Sequence, residues 1–98
     1  LSVDEAILAA RNVGLYTLIA LQDAIGSLDR VEQVVRTFGM VNAAPGFTEH
    51  PRVIDGFSNL FIDIFGEKGR GARSAVGMSS LPFNIPVEVE ITIKILAE

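Results

Sequence analysis

The segment from residue 87 to residue 95 constrains the fold most, because it alternates strictly between apolar and polar side chains. Valine and isoleucine fill the odd positions, and glutamate, threonine and lysine fill the even ones. Successive side chains of a β-strand point to opposite faces, so the pattern predicts a strand with one face in the core and the other in water or in a functional site. Such a strand belongs to a sheet that packs against other apolar elements on one face only.

Two amphipathic helices are predicted to supply that cover. The first begins at a capping box formed by Ser2 and Glu5, and its apolar residues recur every three or four positions until Gly26 ends the helix. The second carries one apolar stripe between residues 53 and 64, with a proline before it and a glycine after it.

Small residues and β-branched runs complete the predicted architecture. Ala10 and Gly14 should let the first helix lie close against the sheet, at a cost of about 1 kcal/mol for the mid-helix glycine. Residues 31–42 are rich in β-branched and aromatic side chains, which predicts a strand, and Gly39 is a candidate bulge within it. A further strand is predicted over 72–77. The order helix, strand, helix, strand, strand indicates an α+β fold with two helices on one face of a sheet.

The composition indicates one domain that associates with other subunits. Ninety-eight residues suffice for a single core, and 49% hydrophobic residues with a mean hydropathy of +0.41 are apolar for so short a chain. We therefore expect another subunit to cover part of the surface. Charged residues interrupt the longest apolar stretches, so no membrane-spanning helix is predicted.

The charges and the lack of cysteine argue against several classes of function. A net charge of −4, with eight basic residues scattered along the chain, argues against a nucleic-acid partner. Without cysteine there is no disulfide framework, no thiolate nucleophile and no zinc–thiolate site. No secretory leader pattern is visible, and we expect a cytoplasmic location.

A lone arginine, Arg73, stands between two strand patterns. At strand spacing it shares a face with Ala75 and Gly77, so its guanidinium lies beside residues with little or no side chain. The planar guanidinium fits a carboxylate through two parallel hydrogen bonds, each contributing about 1.5–3 kcal/mol. This predicts a site for a small carboxylate. The alternative is a surface arginine that pairs with a nearby acid.

Other motifs favour structural roles. The glycine-rich segment 66–71 leaves a helix and enters a strand, which is the reverse of a phosphate-binding loop. Segment 56–60 lacks the last glycine of a nucleophile elbow. His50, the only histidine, precedes a proline and fits a helix entry better than a metal site. Glu88 and Glu90 share one strand face, where a solvated pair is the default unless one of them lies near the arginine.

Several segments together form a family pattern that spans nearly the whole chain, namely 34–37, 41–42, 61–69, 72–76, 81–82 and 87–90. With these segments the sequence resembles the YjgF/RidA family of reactive-intermediate imine deaminases, also described as endoribonuclease L-PSP. The glycine-rich segment is most similar to a longer subgroup whose activities are poorly defined.

The resemblance implies a chorismate-mutase-like α+β fold, with two helices on one face of a mixed β-sheet, assembled as a homotrimer with a ligand cleft at each subunit interface. Arg73 falls on the arginine that binds the substrate carboxylate, and Glu88 falls on the acid that positions the hydrolytic water. The family hydrolyses 2-imino and enamine acids such as 2-aminoacrylate to 2-oxo acids and ammonia. No cofactor and no metal are implied.

The chain departs from the family pattern near the cleft. Ala75 stands where many members have cysteine, and Ser58 or its neighbour Asn59 stands where some have a helix asparagine. The family also begins with strands upstream of the first helix, so we expect residues 1–98 to be one domain without its N-terminal strands. A non-catalytic, carboxylate-binding or regulatory trimer is the alternative function.

Overall fold

The chain folds into two helices and three strands, described for residues 1–97 in a computed structural model. In chain order they are α1 (Val3–Ile25), β1 (Val31–Asn42), α2 (His50–Phe65), β2 (Ala72–Met78) and β3 (Val87–Ile95). Strand β1 lies in the middle of the sheet, parallel to β2 and antiparallel to β3. Parallel neighbours need a long crossover, and α2 provides it. The predicted order of elements and the mixed sheet are confirmed.

Local sequence signals fix the ends of α1. The Ser2 hydroxyl accepts a hydrogen bond from the Glu5 amide at 3.1 Å, and the Ser2 amide donates to the Glu5 carboxylate at 2.9 Å. At the other end, Gly26 adopts a φ of 86°, which favours glycine, and its amide donates to Gln22. The predicted capping box is confirmed. Among residues 1–97, neither helix is long and apolar enough to cross a membrane.

Helix α2 lies directly on the sheet at Gly39. A Cβ added to this glycine would lie 2.5 Å from the Ile54 side chain, so only glycine leaves room for the helix at this point. Gly39 pairs regularly with Ala75 and Val89 on the neighbouring strands. The register shifts of β1 lie earlier, within residues 31–36. The prediction of a bulge at Gly39 is therefore wrong, and the glycine serves close packing.

Helix α1 packs mainly against α2. Gly14 faces Phe57 and Leu60 of α2, and the missing side chain of Gly56 makes room for the Ile7 carbonyl oxygen. The sequence predicted this close approach but assigned it to the sheet, which α1 contacts mainly through β3. The core is centred on α2, where the buried rings of Phe57 and Phe61 stack with centroids 4.6 Å apart.

We expect Gly56→Ala to destabilise the fold by about 1–3 kcal/mol. Alanine improves intrinsic helix propensity by about 1 kcal/mol, but its Cβ would overlap the backbone of α1, which cannot move aside as a flexible side chain can. The measurement is urea unfolding followed by circular dichroism. Asp63→Ala, at an exposed position of the same helix, is the matched control and should be neutral. Equal stability of Gly56→Ala and wild type would mean that the helices are not in backbone contact.

The turn before β3 carries backbone strain. Phe83 and Asn84 both have a φ of 56°, a left-handed conformation that disfavours large side chains. At Asn84 a hydrogen bond offsets this strain, because its Oδ1 atom accepts from the Asn42 side-chain Nδ2 at 2.9 Å. The Phe83 side chain is fully exposed and has no such partner among residues 1–97.

Phe83→Asn should therefore raise the free energy of unfolding by about 0.5–1 kcal/mol, since asparagine tolerates the left-handed region and no packing is lost. Thermal unfolding at matched protein concentration is the measurement. The control is Phe47→Asn, at a half-buried ring packed on His50, which should destabilise. A large loss of stability for Phe83→Asn would show that the ring is buried in an assembly.

Candidate functional site

Arg73 is held by two side chains of α2. Its Nη1 atom donates to the Asp55 carboxylate at 2.7 Å and to the Ser58 hydroxyl at 3.3 Å. Asp55 and Ser58 lie one helical turn apart on the same side of α2, because residues three apart are neighbours on a helix surface. Arg73 in turn stands on the sheet face that α2 covers. Sheet and helix together therefore fix the position of the guanidinium.

One edge of this guanidinium is unused. Both hydrogens of Nη1 are directed at α2, while Nε and Nη2 donate to no residue among 1–97. The Nε and Nη2 atoms form the edge that binds a carboxylate through two parallel hydrogen bonds. The Arg73 side chain is 28% exposed, and its backbone lies on the free edge of the sheet. Arg73 thus pairs with an acid, as the alternative interpretation held, and still offers a ligand two donors.

A small cavity of about 140 Å³ opens beside Arg73. Its polar wall contains Thr37, Asn59 and Arg70 in addition to Asp55 and Ser58, and Ile62 adds apolar surface. Arg70 is largely exposed and pairs with Glu67 at 3.4 Å. Pockets for drug-sized ligands measure about 300–1,000 Å³, so this cavity suits a much smaller molecule. Its wall contains both signs of charge.

Thr37 is a buried polar residue at the base of this site. It lies opposite Arg73 in the β1–β2 register and is only 6% exposed. Its hydroxyl makes no hydrogen bond within residues 1–97, although it is not sealed off from the surface. A buried polar group without a protein partner usually meets water or a ligand. Thr37 is therefore a candidate ligand contact.

The structure brings only some of the sequence-predicted site residues together. Ser58 contacts Arg73, and both Ser58 and its neighbour Asn59 line the cavity. Ala75 lies on the same strand face but packs against the core and takes no part in the cavity wall. Glu88 lies on β3, opposite Met40, so β1 separates it from Arg73 and it points to the other face of the sheet. Within one chain, Glu88 and Arg73 do not share a site.

Sequence reasoning missed Asp55. The signal was present, because Asp55 precedes Ser58 by three residues and must share its helix face. Thr37 was missed for a similar reason, since its neighbourhood depends on the β1–β2 register. Both residues can be assigned to the site only when the rotation of α2 over the sheet and the pairing of the strands are known.

His50 has a structural position. It is the first residue of α2, and its ring packs edge-on against Phe47 with centroids 5.3 Å apart. The missing side chain of Gly77 leaves room for the imidazole on the sheet. The predicted role as a helix-entry residue is confirmed. Across residues 1–97, no group of three or more histidine, aspartate or glutamate side chains is arranged to hold a metal ion.

A larger cavity, of about 330 Å³, lies between the start of α1 and the end of β1. Val3, Ala6, Val41 and Phe47 supply its apolar surface, and no charged side chain lines it. Its polar side chains are Ser2, Asn42 and Asn84, and without a charged side chain the cavity offers no anchor for a carboxylate and no general acid or base. The smaller cavity beside Arg73 is therefore the better candidate for chemistry.

The comparison with known proteins agrees with this fold. The family model "YjgF/chorismate mutase-like, putative endoribonuclease" matches residues 1–95. The chain belongs to the YjgF family. The resemblance and the fold class predicted from the sequence are thereby confirmed.

Relatives within the YjgF family include one curated protein and two solved structures. Protein TCP17 of Trypanosoma cruzi is 44% identical over 96 residues, which are 97% of this chain and 60% of that protein. The crystal structure of Atu1372 from Agrobacterium tumefaciens, a protein of unknown function, has a TM-score of 0.94 at 40% identity over 97% of this chain and 62% of its own. A "putative endoribonuclease" from Shewanella oneidensis has a TM-score of 0.92 at 33% identity over 97% of this chain and 63% of its own. The chain thus spans less than two thirds of each relative.

Thr37→Val tests the candidate site without disturbing the YjgF fold. Valine has nearly the same shape, and the lost hydroxyl bonds no protein group, so the free energy of unfolding should stay within about 0.5 kcal/mol of wild type. Binding of propanoate, measured by calorimetry, should weaken about three- to tenfold, which corresponds to the free energy of one hydrogen bond. Thr92→Val, on the opposite sheet face, is the control. Unchanged propanoate binding with a loss of stability would place the hydroxyl in the fold instead.

Proposed function

We propose that this protein hydrolyses 2-imino and enamine acids, with Arg73 holding the substrate carboxylate. The single observation that carries the proposal is the free Nε–Nη2 edge of Arg73 at the mouth of a small cavity. Membership of the YjgF family supports a deaminase or endoribonuclease-like role. The cavity size favours a substrate as small as 2-aminoacrylate.

The reaction asks little of the protein. In the imine tautomer, a water oxygen adds to the carbon of the carbon–nitrogen double bond, a proton moves to the nitrogen, and ammonia leaves as the 2-oxo acid forms. An imine already adds water readily, so the enzyme must hold the carboxylate, position one water and assist proton transfer. No covalent nucleophile is needed.

A second copy of the chain is proposed to supply Glu88. In a homotrimer with clefts between subunits, Glu88 of one subunit would meet the Arg73 cavity of the next and position the hydrolytic water. This assignment follows from the family resemblance and from the separation of the two residues within one chain. It also explains why a chain with so apolar a composition should associate.

Replacing the arginine tests the carboxylate anchor. Arg73→Ala should lower kcat/KM for 2-aminoacrylate by about 100-fold or more, because two charged hydrogen bonds of about 1.5–3 kcal/mol each are lost. The assay follows loss of enzymatically generated imine. Arg52→Ala, at an exposed arginine of α2 that pairs with Glu49, is the control and should keep full activity. Equal turnover by Arg73→Ala and wild type, both correctly folded, would refute the proposal.

A mixing experiment tests the shared site. Arg73→Ala and Glu88→Gln should each be nearly inactive as pure trimers. Trimers that contain both variants should regain activity at about one third of their sites, because such a ring has one junction at which an intact Arg73 meets the intact Glu88 of the next subunit. The measurement is turnover of doubly tagged, co-purified oligomers. A site built within one subunit would give no recovery, because no subunit then carries both intact residues.

Carboxylate binding without catalysis is the second candidate function. One observation favours it. Within one chain, Glu88 does not line the Arg73 cavity, so the acid expected to position the water is missing there. Calorimetry decides between the two functions. Saturable binding of 2-oxo acids with no turnover by the assembled protein would favour the binding function.

The description of the YjgF family model also suggests endoribonuclease activity. We propose that RNA is not a substrate of this domain, because the net charge of −4 opposes phosphate binding and the single histidine packs against Phe47. Incubation with labelled RNA at physiological salt is the test. Specific cleavage that Arg73→Ala abolishes would overturn this assignment.

A further inference from the structure

We infer that Arg70 makes the Arg73 cavity selective for acids that carry a second negative charge on their side chain. The inference rests on the proposed function and names the substrate class within it. That class is the imino acids with an acidic side chain, in preference to those with a hydrocarbon side chain of equal length.

Arg70 is a second cation in the wall of the cavity. Residues 69–71 line the cavity as one continuous stretch, and Arg73 follows them on β2. The other basic residue of the glycine-rich segment, Lys68, does not line the cavity, and its ammonium donates to the Val31 carbonyl oxygen at 3.4 Å. Arg70 is therefore the basic residue that this segment contributes to the site.

The backbone of Arg70 is held from both sides. Its amide donates to the Glu67 carbonyl oxygen at 3.1 Å, and its carbonyl oxygen accepts from the Gln33 side chain at 2.8 Å. A side chain at Gly69 would overlap the backbone of α2, and one at Gly71 would overlap the backbone of β1. The base of the Arg70 side chain is thus fixed at the cavity, while the rest of this long side chain can change rotamer.

The present partner of the Arg70 guanidinium is easily replaced. Its Nε atom pairs with the Glu67 carboxylate at 3.4 Å, and the two side chains are 61% and 85% exposed. Ion pairs so exposed contribute little to stability, because water and salt screen them. Nη1 and Nη2 of Arg70 have no partner among residues 1–97. A ligand carboxylate can therefore bind this guanidinium without breaking a strong contact.

The two arginines serve different ends of a ligand. The cavity of about 140 Å³ has room for a small imino acid group whose carboxylate binds the Nε–Nη2 edge of Arg73. A longer side chain must then extend toward solvent. Because Arg70 lines the cavity and yet is largely exposed, it stands at this solvent-facing edge. A second carboxylate gains a charged partner there, whereas a hydrocarbon chain gains none.

The charges of the wall also favour such a ligand. Arg70, Arg73 and Asp55 are its three charged residues, so the wall carries a net positive charge. Asp55 is already paired with Nη1 of Arg73 at 2.7 Å, and it opposes a second carboxylate less than a free acid would. A ligand with two carboxylates thus meets one available arginine for each.

The test compares two 2-oxo acids, 2-oxopentanedioate and 2-oxopentanoate, which share one carbon skeleton and differ in the second carboxylate. Each is titrated by calorimetry into the assembled protein. We expect wild type to bind 2-oxopentanedioate about two- to fivefold more tightly, the range of an exposed ion pair. Arg70→Ala should abolish this preference without changing the affinity for 2-oxopentanoate. Glu67→Gln should enlarge it, because the competing carboxylate is gone.

Arg52→Ala is the matched control and should keep the preference. Arg52 pairs with Glu49 at the same sequence spacing and at similar exposure, but it lies outside the cavity. At 1 M salt, where the Debye length is about 3 Å, the wild-type preference should disappear. The inference is overturned if wild type shows no preference at low salt, if the preference persists at high salt, or if Arg70→Ala weakens both ligands alike.

The proposed function fails differently. If Arg73→Ala binds 2-oxopentanoate as tightly as wild type does, or if wild type binds neither ligand, the anchor at Arg73 is wrong and the selectivity argument falls with it. If Arg73→Ala loses 2-oxopentanoate while wild type shows no preference, the anchor stands and only the role of Arg70 is refuted.

Discussion

The close approach of α2 to the sheet determines most of this structure. Ile54 packs over Gly39 and His50 packs over Gly77, so two glycines on one face of the sheet set the distance and the rotation of the helix. Each large side chain that α2 buries stabilises the fold by about 1.5–3 kcal/mol, whereas a half-exposed ion pair contributes about 0–1 kcal/mol. Packing therefore positions α2, and the Asp55–Arg73 pair forms because the helix is already there.

The two faces of the sheet divide the chemistry of the chain. Arg73 lies under α2, while Glu88 lies on the face that the helices leave uncovered. A strand repeats every two residues, so no small shift of one side chain can bring these groups together. The proposed assembly, in which one subunit completes the site of another, would account for both the apolar composition and the uncovered face.

Much of the fold could be predicted because its signals are local. The capping box at Ser2, the stop at Gly26 and the alternation over 87–95 each depend on a few neighbouring residues. The site was only half predictable. Arg73 and Ser58 were identified, but Asp55 depends on the phase of α2 over the sheet, and the role of Gly39 depends on a residue fifteen positions away. Pairing between elements is a tertiary property, which a pattern in one segment does not contain.

The choice of nitrogen on Arg73 decides what the ion pair means for function. Had Asp55 bound the Nε–Nη2 edge, a ligand carboxylate would have to displace it and would gain little. Asp55 and Ser58 instead occupy Nη1 alone, so the guanidinium is fixed while its other donors stay available. A ligand then does not have to immobilise a long, flexible side chain, which is an entropic cost that weakens many arginine contacts. The acid beside the arginine thus prepares the site for a ligand.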